Sequence, residues 1–335
     1  LNDIAFDKID HVTTPVFNKN NVFYADNDFN IYSTNIDDGK VNWKVKLDNE
    51  NRENLPFIGG FAFHKKMLFI TSGLGNIYSI DSKNGKILWK KKLLAQFSRP
   101  PLAFDNKIIV VSDDNQTFSL NTKNGDLIWS HIGNLEEVSI IGGSKPVIQD
   151  NIVIVSYSSG EIYALDHSDG TLIWFDNITS GNFFSKSSLN DIQSPISIVD
   201  NNVFVPSFSD KFIVYEVTNG NKLWNLKLSS VNPIVVSGES IYLIDTSGRL
   251  LCVNKSNGKL LWAAQLKISQ KGKEINWYGP LLSSNKLLLG NSNGQVISIS
   301  PFTGKLLSKL NFSEELVANP IHLGTQIILI SKEGT

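Results

Sequence analysis

The sequence holds one cysteine, one methionine and five histidines in 335 residues, so several classes of chemistry are thin from the outset. A single cysteine, Cys252, forms no internal disulfide and excludes a disulfide-built scaffold. Its setting, Leu250-Leu251-Cys252-Val253, is apolar and marks the thiol as buried and inert. His11, His64, His131, His167 and His322 are scattered, with no pair at metal-ligand spacing. No apolar stretch approaches the ~20 residues of a membrane-spanning helix; the longest runs, such as 108–111 and 152–155, are strand-sized. Charge of one sign is missing too. With 31 basic against 32 acidic residues and a formal net charge of -1, the chain lacks the basic excess that phosphate-backbone binding needs, and nucleic acid is not an expected partner. No 3.6-residue apolar stripe of any length is present, and there is no Gly-x-Ser-x-Gly elbow. Leu1 opens the sequence without Met, a basic n-region or a lipobox cysteine, so a mature or trimmed form is expected.

What is present is repetition. Hydrophobic residues make up 41% of the chain and charged ones 19%, enough apolar material for a large core. A Gly four residues before a Trp recurs as Gly39/Trp43, Gly85/Trp89, Gly125/Trp129, Gly170/Trp174, Gly220/Trp224 and Gly258/Trp262. A seventh copy, Gly304-Lys305-Leu306-Leu307-Ser308, lacks only the aromatic. The spacing of about 40–50 residues is that of propeller blades. Six of the seven tryptophans are absorbed by this one position. A broad apolar ring with one N–H donor suits wedging between successive blades while the indole nitrogen reaches a backbone carbonyl. Trp277, beside Tyr278 in a loop over 267–278, is off-register and is read as packing.

Each repeat carries the same grammar: an apolar pair often led by Pro, a β-branched run, a Gly or Asp turn, an alternating segment, an Asn-Gly or Asp-Gly turn, and the Trp strand. Pro146-Val147, Ile152–Val155, Ile162–Leu165 and Leu172–Trp174 are strands A, B, C and D of the fourth repeat. Asn84-Gly85, Asn124-Gly125, Asp169-Gly170, Asn219-Gly220 and Asn257-Gly258 tolerate positive φ and predict tight C-to-D hairpins. The pattern predicts an all-β chain: one eight-bladed β-propeller of four-stranded antiparallel blades spanning 1–335. Blade anchors fall at 43, 89, 129, 174, 224, 262 and 308. The eighth blade is incomplete, drawn from 316–335 plus N-terminal residues.

Gly85-Lys86-Ile87-Leu88-Trp89 and Gly160-Glu161-Ile162-Tyr163-Ala164-Leu165-Asp166 resemble the repeat named after pyrroloquinoline quinone dehydrogenases. Enzymes and non-enzymes share it. The enzyme branch would imply a calcium-quinone site with a catalytic Asp and usually an adjacent cysteine pair, which one cysteine cannot supply. No cofactor, metal or catalytic residue is therefore expected. Gly73-Leu74-Gly75 is read as a B-to-C turn, because it does not precede a helix as a phosphate loop does.

A closer likeness covers residues 14–335. Leu189-Asn190-Asp191-Ile192 followed by Pro195, and Leu228-Ser229-Ser230-Val231-Asn232 through Tyr242-Leu243-Ile244-Asp245, resemble segments of the BamB family of propeller lipoproteins. That resemblance implies a non-catalytic scaffold of the outer-membrane β-barrel assembly complex, periplasmic at the inner face of the outer membrane. It implies a monomer within a complex, touching the membrane only through a lipid anchor outside this chain. It also implies a BamA-like partner, held by its periplasmic domains on two loops. In the first loop Val138 and Ile140 keep the family's apolar positions, while Ile141 replaces its Arg. In the second, Asp191 is kept and Gln193 falls on an acidic position. Loops 133–144 and 179–194 join D to A in neighbouring blades, so they share one face. They also carry more apolar residues, among them Phe183, Phe184, Leu189 and Ile192, than a solvated loop requires. The repeats are also compatible with an extracytoplasmic sensor or ligand-binding propeller, or with a quinone-dependent dehydrogenase.

Overall fold

A computed structural model describes residues 13–26, 28–48, 57–134, 143–178, 192, 194–207, 210–324 and 326–332. The described chain is all strand and turn. Seven four-stranded antiparallel sheets follow one another, each with its strands A to D in sequence order. In blade 4 these are Val147–Gln149, Ile152–Ser156, Glu161–Asp166 and Leu172–Asn177, each overlapping its expected segment. Strands B and C are buried on both faces, as with Lys107–Val111 of blade 3. Strands D alternate between exposed and covered residues, as in Val41–Lys46 and Leu127–Ile132. They form the outer wall.

The core is divided among the junctions. Ile70 and Tyr78 of blade 2 pack with Phe23 and Trp43 of blade 1, Ile154 and Trp174 of blade 4 with Val203 and Tyr215 of blade 5, and the remaining neighbours follow suit. The eighth blade is present as a two-stranded sheet, Ile321–Leu323 with Gln326–Ile328. Its Leu323 packs against Val22, Tyr24 and Tyr32 of blade 1, which closes the ring. The N-terminal contribution expected for this blade lies in residues 1–12, outside the described residues.

The tryptophans occupy one repeated environment. The Nε1 of Trp43, Trp89, Trp129, Trp174, Trp224 and Trp262 donates to the backbone carbonyl of Ser82, Thr122, His167, Val217, Lys255 and Pro301, respectively, always in the next blade. Each indole lies on the glycine of that blade's C-to-D turn: a Cβ added to Gly85, Gly125, Gly170, Gly220, Gly258 or Gly304 would come within 2.6–2.8 Å of the ring. These glycines also sit at φ between 67° and 79°, where a Cβ is disfavoured. In each of the seven blades the residue pairing with the Trp position precedes a bulge, and in blade 7 that pair is Ser298 with Ser308. Ser308 thus takes the tryptophan's register without its ring.

The C-to-D connections are hairpins with the glycine at positive φ, as expected, and each loop extends beyond the Asx-Gly pair. In blade 2 the Asp81 amide donates to the Lys86 carbonyl and the Gly85 amide to the Asp81 carbonyl, both at 2.9 Å. The Asp81 side chain accepts from the Lys83 amide at 2.8 Å. Asn35, Asn121, Asp166 and Asn254 do the same in their blades. The Asx residue at the turn's start satisfies backbone donors inside a longer loop, and the glycine supplies positive φ at its end. Gly73-Leu74-Gly75 lies between Met67–Ser72 and Asn76–Asp81, a B-to-C turn as expected. Trp277 is buried, its Nε1 donating to the Lys267 carbonyl at 2.9 Å.

Candidate functional site

The D-to-A connections and B-to-C turns emerge on one face. Val138, Ile140, Ile141, Asp191 and Gln193, which the sequence places in two loops of this face, lie outside the described residues, as do Phe183, Phe184 and Leu189. The structure instead defines where both loops begin and end. Loop 133–144 leaves strand D of blade 3 under tight control. The Gly133 amide donates to the Asn115 carbonyl at 2.9 Å, and the Tyr157 ring lies so close that a Cβ at Gly133 would meet it at 2.4 Å. The next residue, Asn134, donates its amide to Glu161 Oε2 at 3.0 Å and its Nδ2 to Oε1. Its carbonyl accepts from Asn115 Nδ2 at 2.8 Å.

Glu161 is the centre of this anchorage. It is buried, a costly place for a carboxylate unless its lone pairs are occupied. Ser159 Oγ at 2.9 Å and Tyr163 Oη at 3.2 Å supply two further donors. Around it, the Tyr157 hydroxyl bonds Thr117 Oγ1 at 2.8 Å and His131 Nδ1 at 3.0 Å. Burial pushes the Tyr157 phenol well above its ordinary value, and burial, followed by the Glu161 charge, pushes Tyr163 up to about 12. Burial lowers His131 while Glu161 pulls the other way. The network ties the start of the loop to strands of two neighbouring blades.

The two loops meet at their far ends. The Ser144 amide donates to the Ile192 carbonyl at 3.4 Å, and Ser144 Oγ accepts from the Ile196 amide at 2.9 Å. Loop 179–194 begins at buried Ile178, whose amide donates to the Gly160 carbonyl at 2.9 Å. It ends at buried Ser194, bonded through Oγ to the Ser230 carbonyl. The adjacency expected from blade order is therefore fixed by hydrogen bonds. Ile192, counted among the apolar residues of the loop, is 2% exposed and belongs to the blade 4–5 core; at that position the apolar side chain fills space under its own loop.

Beneath the first loop, Gly143 backs onto buried Arg99, whose Nη1 donates to the Ser156 carbonyl. Asp113, held above the usual carboxylate range by burial, accepts from the Ser98 amide and hydroxyl, with Arg99 nearby opposing the shift. Sequence reasoning missed Arg99, Asn115, Glu161 and Tyr157. Arg99 precedes strand A of blade 3, Asn115 lies in that blade's B-to-C turn, and Glu161 takes the slot that holds Asn76 and Gln116 in blades 2 and 3, so the repeat spacing does not single out its carboxylate.

This geometry has known counterparts. The family described as outer membrane protein assembly factor BamB matches residues 27–264. The chain is 23% identical over 236 residues to the protein of that name from Moranella endobia, covering 70% of this chain and 60% of that protein. It is 20% identical to the one from Yersinia pestis, over 70% of this chain and 59% of that protein. The chain thus spans about 60% of the length of these relatives. An uncharacterised protein of Rickettsia conorii is 25% identical over 91% of this chain and 74% of its own length. Among solved structures, BamB from Moraxella catarrhalis superposes with a TM-score of 0.83 at 18% identity, covering 98% of this chain and 96% of that one. A quinohemoprotein alcohol dehydrogenase from Comamonas testosteroni gives 0.71 at 13% identity, over 95% of this chain and 70% of that one, a likeness of fold alone. With the repeats, the closed ring and a family match over most of its length in agreement, the chain belongs to the BamB family of outer membrane protein assembly factors.

Proposed function

We propose that this chain is a non-catalytic scaffold of the envelope machinery that assembles outer-membrane β-barrel proteins. It works in the periplasm at the inner face of the outer membrane and holds a BamA-like partner on loops 133–144 and 179–194. The observation that carries the reading is the joined pair of loop bases, Ser144 to Ile192 and Ile196 to Ser144. A rigid ring presenting two adjacent loops preorganises a binding surface and limits the ordering entropy lost on association. Val138, Ile140 and Ile141 provide the apolar part of that surface, Asp191 its charge and Gln193 a neutral polar contact at its edge.

Binding of purified chain to the periplasmic domains of a BamA-like partner tests this. Ile140→Arg and Asp191→Arg are each expected to weaken binding by at least about tenfold, or 1.4 kcal/mol, with thermal unfolding unchanged. Wild-type affinity in both variants removes the proposed surface. Loss of binding through unfolding alone makes these residues core.

A further inference from the structure

We propose that the outer corner between blades 6 and 7, on the face opposite the partner loops, docks on an anionic phospholipid surface. The A-to-B and C-to-D turns of all blades emerge on this opposite face. In blades 1 to 6 each pair of turns includes or abuts an acidic residue: Asp38, Asp81, Asp105, Asp150, Asp200 and Glu239 in turn. Blade 7 alone among the seven complete blades has none; its turns read Ser284-Asn285 and Ser300-Pro301-Phe302-Thr303-Gly304-Lys305. Lys259, Lys286 and Lys305 stand at or beside the turns of blades 6 and 7, and blade 7 from Trp277 to Asn311 has no acidic residue.

The second observation is aromatic. Phe302 stands where the other blades carry Asp37, Lys83, Lys123, Ser168, Thr218 and Ser256, and it is 77% exposed. It rims a cavity of about 500 Å³ whose walls include Leu261, Trp262, Tyr242, Leu282 and Pro301. Glu239 also reaches this cavity, but it is engaged by Ser256 Oγ at 2.9 Å and Lys255 Nζ at 3.7 Å. The starts of the two flanking D strands, Leu260–Gln265 and Leu306–Asn311, add Leu260, Leu261, Leu306 and Leu307, each 51–59% exposed. Lys259, Lys286 and Lys305 surround them, exposed and in no salt bridge among the described residues.

An exposed aromatic with leucines and three lysines on the same pair of blades is complementary to a bilayer interface bearing negative headgroups. There, apolar burial and attraction to anionic lipid add together. A patch spread over two blades with Phe302 exposed at its edge fits a surface better than a single extended peptide. The proposal does not rest on the partner reading, because it concerns other residues on the other face.

The test is co-sedimentation of the full chain with vesicles of one part phosphatidylglycerol to two parts phosphatidylcholine, against pure phosphatidylcholine. Binding to the first only, weakened by salt, is expected. Neutralising Lys259 or Lys305 to Gln should cost about fivefold in partitioning each. Phe302→Ser, which restores a side chain like those of the other blades, should cost about tenfold. Blade 2 supplies the control, since it is also lysine-rich: Lys91→Gln should leave partitioning unchanged. Hydrogen exchange on the wild type should gain vesicle-dependent protection over 255–262 and 300–309, a readout that needs no variant. The proposal is overturned by absence of binding at low salt, by an equal loss from Lys91→Gln, or by protection confined elsewhere. It is also overturned if Phe302→Ser spares vesicle binding and instead abolishes capture of an acidic, leucine-rich peptide; the patch would then be a peptide site.

Discussion

Six blade junctions are built on an indole, and the seam between blades 7 and 8 is built differently. At the first six junctions an indole is clamped between a carbonyl and a glycine of the next blade. At the seam the same register holds Ser308, bonded only to its neighbour Ser298 at 2.7 Å, and blade 8 offers strands A and B with no C-to-D turn among the described residues. The contrast shows what the tryptophan is for. At each of the six junctions the ring rests on a glycine of the next blade, and Ser308 holds the same register without a ring.

The widest expected gap between the two kinds of junction comes from deleting a ring. Trp174→Ala should cost about 3–5 kcal/mol in denaturant unfolding, because Trp174 is buried among the residues of two blades. Ser308→Ala should cost about 1 kcal/mol or less, since it loses one hydroxyl pair. Comparable costs at both positions would break the comparison. Next is the platform: Gly220→Val should lose about 2–4 kcal/mol, from its φ of 72° and from a Cβ 2.6 Å from Trp174. Gly238, also at positive φ but open, should lose only the backbone share.

The smallest effect separates one junction from the other five. Trp129 donates to the carbonyl of His167, and His131 stands two residues along the same strand. Burial holds both imidazoles below their ordinary range, with Lys107 lowering His167 further. Their folded pKa values are depressed, so the unfolded chain takes up protons first. Stability should be flat above about pH 6.5 and fall as acid carries the solution through the lowered folded values. Asp113, raised by burial, has the opposite sign and acts at the carboxylate end of the range. Melting temperatures measured from about pH 7.5 to about 5.5 should decline, and His131→Gln should flatten the decline.

The architecture was legible because it is written seven times. The Gly-to-Trp spacing exposed the blades, the Trp-to-next-blade geometry followed from the chemistry of an indole, and even the defective seventh copy fell in register at Ser308. What failed to read out was local or unrepeated. Asn-Gly and Asp-Gly pointed to the hairpins, but not to the Asx residue three positions earlier that closes each loop. Ile192 looked like loop surface because sequence cannot tell an apolar side chain facing a partner from one turned under its own backbone. Asn115 and Glu161 meet on Asn134, and Arg99 meets Ser156, only once blades 3 and 4 stand side by side.

The direction of the indole clamp has a consequence for how such chains change over time. Every Trp43-type ring reaches forward into the following blade and never back. Gaining or losing one whole repeat among blades 1 to 6 therefore leaves every ring with a glycine to rest on, whereas half a repeat strands one. Descent within this architecture is quantised, and the tryptophan sets the quantum.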